Sequence, residues 1–254
     1  MTVKTKLLIA IALLAAATLA CASLDTLLDE PLAPAVPATN TPPPALPSST
    51  PLPPPTEAPA PTEEPAEPAD DFGNALFADD FSDPASGWDS FSNNEGVTDY
   101  ADGSYKIGVN SESLFFWANP YQNFSDVAIE VIATKSSGGD DVQFGIICRH
   151  QDTENFYALV ITADGYAAIR KRLQGGELTY IAEWAESPVI NQGSATNLLR
   201  AECVGDRLAL FANGVLLLEV FDSDLQTGDV GLLAGTFSEA QVEVLFDNFV
   251  VTAP

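Results

Sequence analysis

The segment 199–220, LRAECVGDRLALFANGVLLLEV, contains the strongest short-range folding signal in the chain. Asn213-Gly214 stands between two apolar runs, and a tight type I′ hairpin turn needs two residues that tolerate positive φ. Upstream of it, every second residue from Leu199 to Cys203 is apolar, which is typical of a half-buried strand. The segment therefore predicts consecutive antiparallel strands joined by a two-residue turn.

The same two-residue period extends outward from this segment. Residues 127–134, 142–149, 156–162 and 242–251 alternate in the same way, and Gly- or Asn-containing pairs separate such runs. No segment keeps a 3.6-residue period over three turns of helix. Turn signals recur about every 8 to 14 residues, which favours an all-β, two-sheet antiparallel jelly-roll sandwich over residues 72–254.

The region before this domain has a different composition. Of the 19 prolines in the chain, 15 lie between Pro31 and Pro68, and residues 21–71 contain no aromatic side chain. Such a segment buries too little apolar surface to offset chain entropy. We expect residues 21–71 to form a disordered Pro-, Ala-, Thr- and Glu-rich stalk, biased toward extended polyproline II.

The first twenty residues resemble a bacterial lipoprotein signal peptide. Lys4 and Lys6 precede an uncharged apolar run, 7–20, that is short for a membrane span. Ala20-Cys21 fits the lipoprotein cleavage site, although Leu19 stands one place later than that pattern has its leucine. The resemblance implies a lipid on Cys21 and an exported, membrane- or surface-anchored protein of the cell envelope; secretion after ordinary cleavage is the alternative.

The charge balance excludes one class of partner. Of the 36 acidic and 10 basic residues, 28 and 8 lie in residues 71–254. A nucleic-acid-binding protein needs clustered Lys and Arg against phosphate, so we expect no nucleic-acid partner. The only basic cluster, Arg170-Lys171-Arg172, is split by alternation across two faces of a strand, which is typical of a solvated strand end.

Two cysteines remain after Cys21. Cys148 is in phase with apolar residues of its strand, and so is Cys203, so both are expected to face inward. In an exported protein they are disulfide candidates. Two free, buried thiols are the alternative.

Four segments in this order resemble the concanavalin A-like lectin/glucanase superfamily. They are 76–90 (LFADDFSDPASGWDS), 100–109 (YADGSYKIGV), 199–220, and 228–251 (GDVGLLAGTFSEAQVEVLFDNFVV). Within that superfamily they resemble laminin-G-like jelly rolls of bacterial lipoproteins and the 3-keto-disaccharide hydrolase-type domain. The resemblance implies that the first strand pairs with the last.

The resemblance also implies a structural calcium ion beside those two strands. Asp80, Gly103 and Asp247 match the positions that ligate it in relatives, through two carboxylates and one backbone carbonyl. Hard oxygen ligands suit Ca²⁺. Turn and strand-end hydrogen bonding by the two aspartates is the alternative. No other cofactor is indicated.

No catalytic motif is recognisable. The glucanase relatives use acidic residues in an ExDxE-type pattern, which is absent here, as are GxSxG, HExxH and a P-loop. His150, the only histidine, remains as an isolated acid–base candidate. We therefore identify no catalytic residue and expect the protein not to be an enzyme.

Aromatic side chains are the candidates for ligand binding. Sugar rings stack on Trp and Tyr, and a groove formed by one sheet face is predicted to use Trp117, Tyr121, Arg149, Tyr157 and Trp184. The alternative is that these aromatics fill the core. The sequence predicts a non-catalytic carbohydrate-binding module displayed on a lipid anchor; a glycoside hydrolase-like enzyme and a structural spacer head without a ligand are the alternatives.

Overall fold

The computed structural model describes residues 75–254, in which fifteen β-strands and no helix are found. No helix capable of crossing a membrane occurs within this range. The predicted signal peptide 1–20, the lipidation site Cys21, the stalk 21–71 and the predicted domain start at residue 72 lie outside the described residues. The prediction of an all-β sandwich of two antiparallel sheets is confirmed over 75–254.

The larger sheet has nine strands. These are β1 (Ala75–Asp79), β2 (Phe91–Ser92), β3 (Gly96–Ala101), β4 (Ser104–Val109), β6 (Val127–Gly138), β11 (Thr196–Val204), β12 (Arg207–Ala212), β13 (Val215–Phe221) and β15 (Val242–Thr252). The order across the sheet is β13, β12, β11, β6, β15, β4, β3, β2, and β1 pairs with β15. The implied pairing of the first strand with the last is therefore confirmed.

The smaller sheet has six strands. These are β5 (Phe115–Ala118), β7 (Val142–Asp152), β8 (Asn155–Thr162), β9 (Tyr166–Arg172), β10 (Thr179–Glu186) and β14 (Asp229–Thr236). Their order is β10, β9, β8, β7, β14, β5. This sheet carries two apolar layers, because the inward side chains join the main core while a second cluster lies on its outer face.

The hairpin predicted from Asn213-Gly214 forms as expected. It joins β12 to β13, and Asn213 and Gly214 adopt φ values of 51° and 80°, the left-handed region that a type I′ turn requires. The Asn213 side chain also accepts a hydrogen bond from the Leu198 amide at 3.0 Å. The turn is therefore fixed both by its own geometry and by the neighbouring strand.

A disulfide bond joins the two sheets. Cys148 on β7 and Cys203 on β11 are both fully buried, and their sulfurs are bonded. Of the two alternatives that the sequence leaves open, the structure therefore has the bonded one. The bond links elements 55 residues apart in sequence, so it restricts the unfolded chain strongly.

An aromatic cluster anchors the first strand against the core. The buried carboxylate of Asp79 accepts hydrogen bonds from the Trp88 indole at 2.9 Å and the Phe81 amide at 2.8 Å. The Trp88 ring packs against Phe81 and Phe249 with centroid distances of 5.2 and 4.9 Å. A buried carboxylate is tolerated here because two donors satisfy it.

Candidate functional site

A continuous groove runs over the outer face of the six-stranded sheet. Three adjacent depressions of about 610, 300 and 940 Å³ line this face, and the third extends past its β5 edge to β2 and β3. The first and third share Leu114 and Phe115 in their walls, and the first and second share Phe237. We call these three depressions together the groove. The first is its central part, the second, beside β10, is its β10 end, and the third, beside β5, is its β5 end.

The apolar floor beneath the groove is formed by short, fully buried side chains, and larger residues above them form the surface of the groove itself. Ala158, Ala168 and Val160 occupy neighbouring strands and are fully buried beneath larger residues. Partly buried aromatic and aliphatic side chains cover this floor: Phe115, Trp117, Leu178 and Trp184. A sheet face that is apolar without a second layer of structure over it is a common setting for ligand binding.

Aromatic rings stand at both ends of the groove. At the β10 end, the Trp184 indole donates a hydrogen bond to the Tyr180 hydroxyl at 2.9 Å, and its ring lies 5.8 Å from Phe237. At the β5 end, Trp117 packs on Phe156 at 5.8 Å. These contacts hold both indoles in defined orientations while leaving them partly exposed.

The central part contains a fixed guanidinium group. Arg170 donates to the Gln143 side-chain oxygen at 2.8 Å and to the Leu178 carbonyl at 2.9 Å, and it lies 4.8 Å from the centre of the Tyr180 ring. Burial lowers the pKa of Arg170 from its usual value. Its Nε and that of Arg172 are buried without a hydrogen-bond partner among the described residues.

The β5 end is acidic. Asp89 accepts hydrogen bonds from the Asn119 amide at 3.0 Å and from the Tyr121 hydroxyl, and Asp229 accepts one from the Gln122 amide at 2.9 Å. Burial, reinforced by the nearby charge of Asp89, raises the pKa of Asp229 to about 6. Both carboxyl groups line the same depression, and Asp229 is the one whose pKa burial raises.

His150 lies between this acidic end and the aromatic wall. Its ring is 5.8 Å from Phe156 and 6.3 Å from Trp117. Burial lowers its pKa, so the imidazole is neutral at pH 7, and its Nε2 has no hydrogen-bond partner among the described residues. The His150 ring thus forms part of the wall of the β5 end.

Three of the five residues predicted to bind a ligand border the groove. Trp117 and Tyr121 line its β5 end, and Trp184 lines its β10 end. Tyr121 is 73% exposed and adopts a φ of 58°, so its ring projects from the rim. Whether any of them contacts a glycan stays a prediction.

Arg149 and Tyr157 lie elsewhere, which corrects their predicted location. Tyr157 is fully buried between the sheets, where its hydroxyl accepts from the Leu225 amide at 3.1 Å. Arg149 is 2% exposed and donates to the Leu225 carbonyl at 2.8 Å. A bulge in β7 with a φ of 54° at Arg149 interrupts the alternation, and β8 is apolar on both faces, so alternation did not reveal which side chains point inward.

The basic cluster is not the solvated strand end that its sequence suggests. Lys171 projects to the opposite side from its neighbours and pairs with Asp222 and with Asp224 at 2.5 Å. Arg170 and Arg172 both line the central part of the groove. Asp89, Asp229 and Gln143 also line the groove. No motif or spacing in the sequence marks them as site residues.

The implied calcium ligands have local partners. Asp80 accepts from the Ser82 hydroxyl at 2.6 Å and amide at 3.0 Å, which lower its pKa, and Asp247 accepts from the Asn248 amide at 2.7 Å. The strand pairing places both near the turn that contains Gly103. Ca²⁺ takes about six to eight oxygens, of which these residues supply a part. Within 75–254 no group of three or more acidic, His or Cys side chains is arranged for a metal, and the calcium site stays a prediction.

Comparison with solved structures confirms the fold. A Bacillus subtilis protein of unknown function with a galectin-like fold aligns with a TM-score of 0.53 at 13% identity, covering 71% of this chain and 96% of that one. The Bacillus licheniformis β-glucanase aligns at 0.51 and 8%, covering 70% and 98%. A structure from work on endo-acting O-glycanases that members of the human gut microbiota express to initiate mucin breakdown aligns with a TM-score of 0.51 at 10% identity. The alignment covers 71% of this chain and 99% of that one.

Sequence comparison adds no family. No protein-family model matches the chain, and no curated protein sequence matches it. The similarity to solved structures therefore confirms the two-sheet antiparallel jelly roll that the sequence predicted, and it establishes the fold alone.

Proposed function

We propose that this protein is a carbohydrate-binding module whose ligand occupies the groove. The observation that carries the proposal is the groove itself, in which the partly exposed rings of Trp117 and Trp184 are held at the two ends and the Arg170 side chain lies between them. Aromatic rings bind the C–H faces of sugars, and separated polar groups orient their hydroxyls. Structures of the same fold that are titled as a β-glucanase and as O-glycanases act on carbohydrate, which supports this ligand class.

A binding panel with one groove variant tests the proposal. Trp184→Ala should weaken binding of any glycan that the full-length protein recognises by about thirtyfold, the effect of removing an anchoring aromatic side chain worth about 2 kcal/mol. Phe221→Ala is the matched control, because Phe221 is an exposed aromatic residue on β13 of the other sheet. Equal loss in both variants, or no binding to any glycan, would contradict the proposal and favour a spacer head.

Display on a membrane is part of the proposal. Cys21 with its acyl chains would anchor the protein, and residues 21–71 would separate the domain from the bilayer. Mass spectrometry of the mature N-terminus tests this, with a diacylglyceryl adduct expected on Cys21 and loss of membrane association in Cys21→Ser. A mature chain that starts at Ser23 without lipid would instead indicate secretion.

A second candidate function, glycoside hydrolysis, is favoured by Asp89 and Asp229. Glycosidases use two carboxyl groups, one of which donates a proton, and Asp229, whose pKa is raised, suits the proton donor in a depression that also contains Asp89. Product release from glycans that bind the wild type, abolished in Asp229→Asn while binding persists, would establish it. Binding without any cleavage over days leaves the non-catalytic module as the function.

A further inference from the structure

The charged groups of the domain are unevenly partnered. Residues 75–254 contain eight Lys and Arg side chains among a large excess of acids. Six of these cations have a carboxylate within ion-pairing distance: Lys106, Lys135, Arg149, Lys171, Arg200 and Arg207. Arg170 and Arg172 are the two that form no ion pair within the described part of the chain.

Both unpaired guanidinium groups lie in one place. Arg170 and Arg172 are two residues apart on β9, so their side chains leave the same face of the six-stranded sheet. Both line the central depression of about 610 Å³, together with Gln143 and Glu177. Glu177 is exposed and forms no ion pair with either arginine.

The Arg170 guanidinium is held in place, and Arg172 is partly buried beside it. Arg170 is fixed by Gln143, by the Leu178 carbonyl and by the Tyr180 ring, and neither group is fully exposed. A partly desolvated guanidinium without a counterion is unfavourable. Two oxygens of a carboxylate or of a sulfate group can accept a pair of parallel N–H hydrogen bonds from it. The Nε atoms of both residues are buried and have no hydrogen-bond partner within residues 75–254.

The rest of the domain makes this position selective. The β5 end contains Asp89 and Asp229, and the domain as a whole is strongly acidic, so a polyanion is repelled everywhere except at the two arginines. A ligand with one acidic group flanked by neutral sugars would place its anion on the arginines of the central part and no negative charge at the acidic β5 end. Neutral rings would then stack on Trp117 and Trp184.

We infer that the groove binds an acidic glycan, with the carboxylate or sulfate group of one sugar seated between Arg170 and Arg172. The inference rests on the proposed function and adds the ligand class. It requires no chemistry at the anion, because the arginines act as fixed donors and positive charges.

Three matched pairs of glycans test the inference on the full-length protein by titration calorimetry. The pairs are sialyllactose and lactose, singly sulfated lactose and lactose, and xylotriose with and without one glucuronic acid branch, so that each acidic member carries a single anionic group among neutral sugars. At least one acidic member should bind ten or more times tighter than its neutral partner. Inorganic sulfate, as the free anion, should compete only at millimolar concentration.

Charge variants assign the effect to the groove. Arg172→Gln should weaken binding of the acidic member about 10- to 100-fold, and Glu177→Gln, at an exposed wall position, should strengthen it about twofold to threefold. Lys106→Gln is the control, since it makes the same charge change on the nine-stranded sheet and should alter affinity less than twofold. Thermal unfolding verifies that each variant is folded.

The outcomes separate the inference from the proposed function. Equal affinity for neutral and acidic members, or acidic binding that survives Arg172→Gln, would overturn the inference and leave carbohydrate binding standing. Tight competition by inorganic sulfate alone would also overturn it, because the site would then be an anion site without sugar recognition. No binding to any member would overturn both.

Discussion

The outer faces of the two sheets differ in how their charges are arranged. On the nine-stranded sheet, Arg200 pairs with Glu130 at 2.6 Å and with Glu202 at 2.9 Å, and Arg207 extends the network to Glu219. On the six-stranded sheet, the outer face is apolar and aromatic, and its two arginines have no acidic partner within residues 75–254. The charged groups on the nine-stranded sheet neutralise one another, whereas the arginines on the six-stranded sheet are free to pair with an anionic ligand.

The disulfide that holds both sheets should have the largest effect on stability. Replacing Cys148 and Cys203 together by Ala should lower the free energy of unfolding by about 4 kcal/mol, because the bond closes a loop of 55 residues. Urea unfolding of wild type and double variant measures this. Loss below about 1 kcal/mol would mean that packing alone fixes the sheets and their two faces.

Trp117→Ala should have the next largest effect and distinguishes the two faces. The indole packs on Phe156 and Phe115, so its removal should cost about 2 kcal/mol, less than for a fully buried tryptophan. It should also weaken glycan binding. Unchanged stability would indicate that the outer cluster contributes little to folding and that the groove surface is loosely ordered.

Asp229 should make the stability of the protein depend on pH. Its pKa is about 6 in the folded state and near 3.8 when unfolded, so between these values the folded state holds more protons. The free energy of unfolding should therefore fall as pH rises from about 4 to about 7. Asp229→Asn should remove this slope and add about 1 kcal/mol at pH 8, a value reduced from the full shift because the carboxyl group keeps contact with solvent.

The comparison with a neutral replacement identifies the source of this slope. Asp80→Asn is a suitable control, since Asp80 is exposed and its pKa is lowered, not raised. If Asp229→Asn left the pH dependence unchanged, the β5 end of the groove would be hydrated well enough to hold a charged carboxylate. Asp229 would then not be a suitable proton donor.

The ion-pair network on the nine-stranded sheet should give the smallest effect. Glu202→Gln removes the carboxylate shared by Arg200 and Arg207, and partly exposed pairs contribute little, so about 0.5 to 1 kcal/mol of stability should be lost. Glycan affinity should stay unchanged. A change in affinity would place part of the binding surface on the nine-stranded sheet.

The sequence predicted the fold because each signal for it is local. Asn213-Gly214 specifies its own turn, and alternation in β6 and β15 is clear since one face of each strand is polar. The terminal strand pairing came from the resemblance to known jelly rolls and was confirmed by the structure.

The site was less predictable because its signals depend on distant residues. β7 and β8 are apolar on both faces, and the bulge at Arg149 reverses the direction of that side chain, so alternation placed Arg149 and Tyr157 on the wrong surface. Lys171 finds its partners more than 50 residues away, and this removes it from the basic cluster and leaves Arg170 and Arg172 in the groove. Such pairings have no signature in the local sequence.

Acrylamide quenching of tryptophan fluorescence tests the central claim most directly. Of the three tryptophans, Trp88 is buried in the main core, whereas Trp117 and Trp184 border the groove. An acidic glycan should protect wild-type fluorescence from quenching and should have no effect in the double variant Trp117→Phe, Trp184→Phe, which retains only Trp88. Quenching that no glycan alters, or protection that persists in the double variant, would contradict a ligand site on the outer face of the six-stranded sheet.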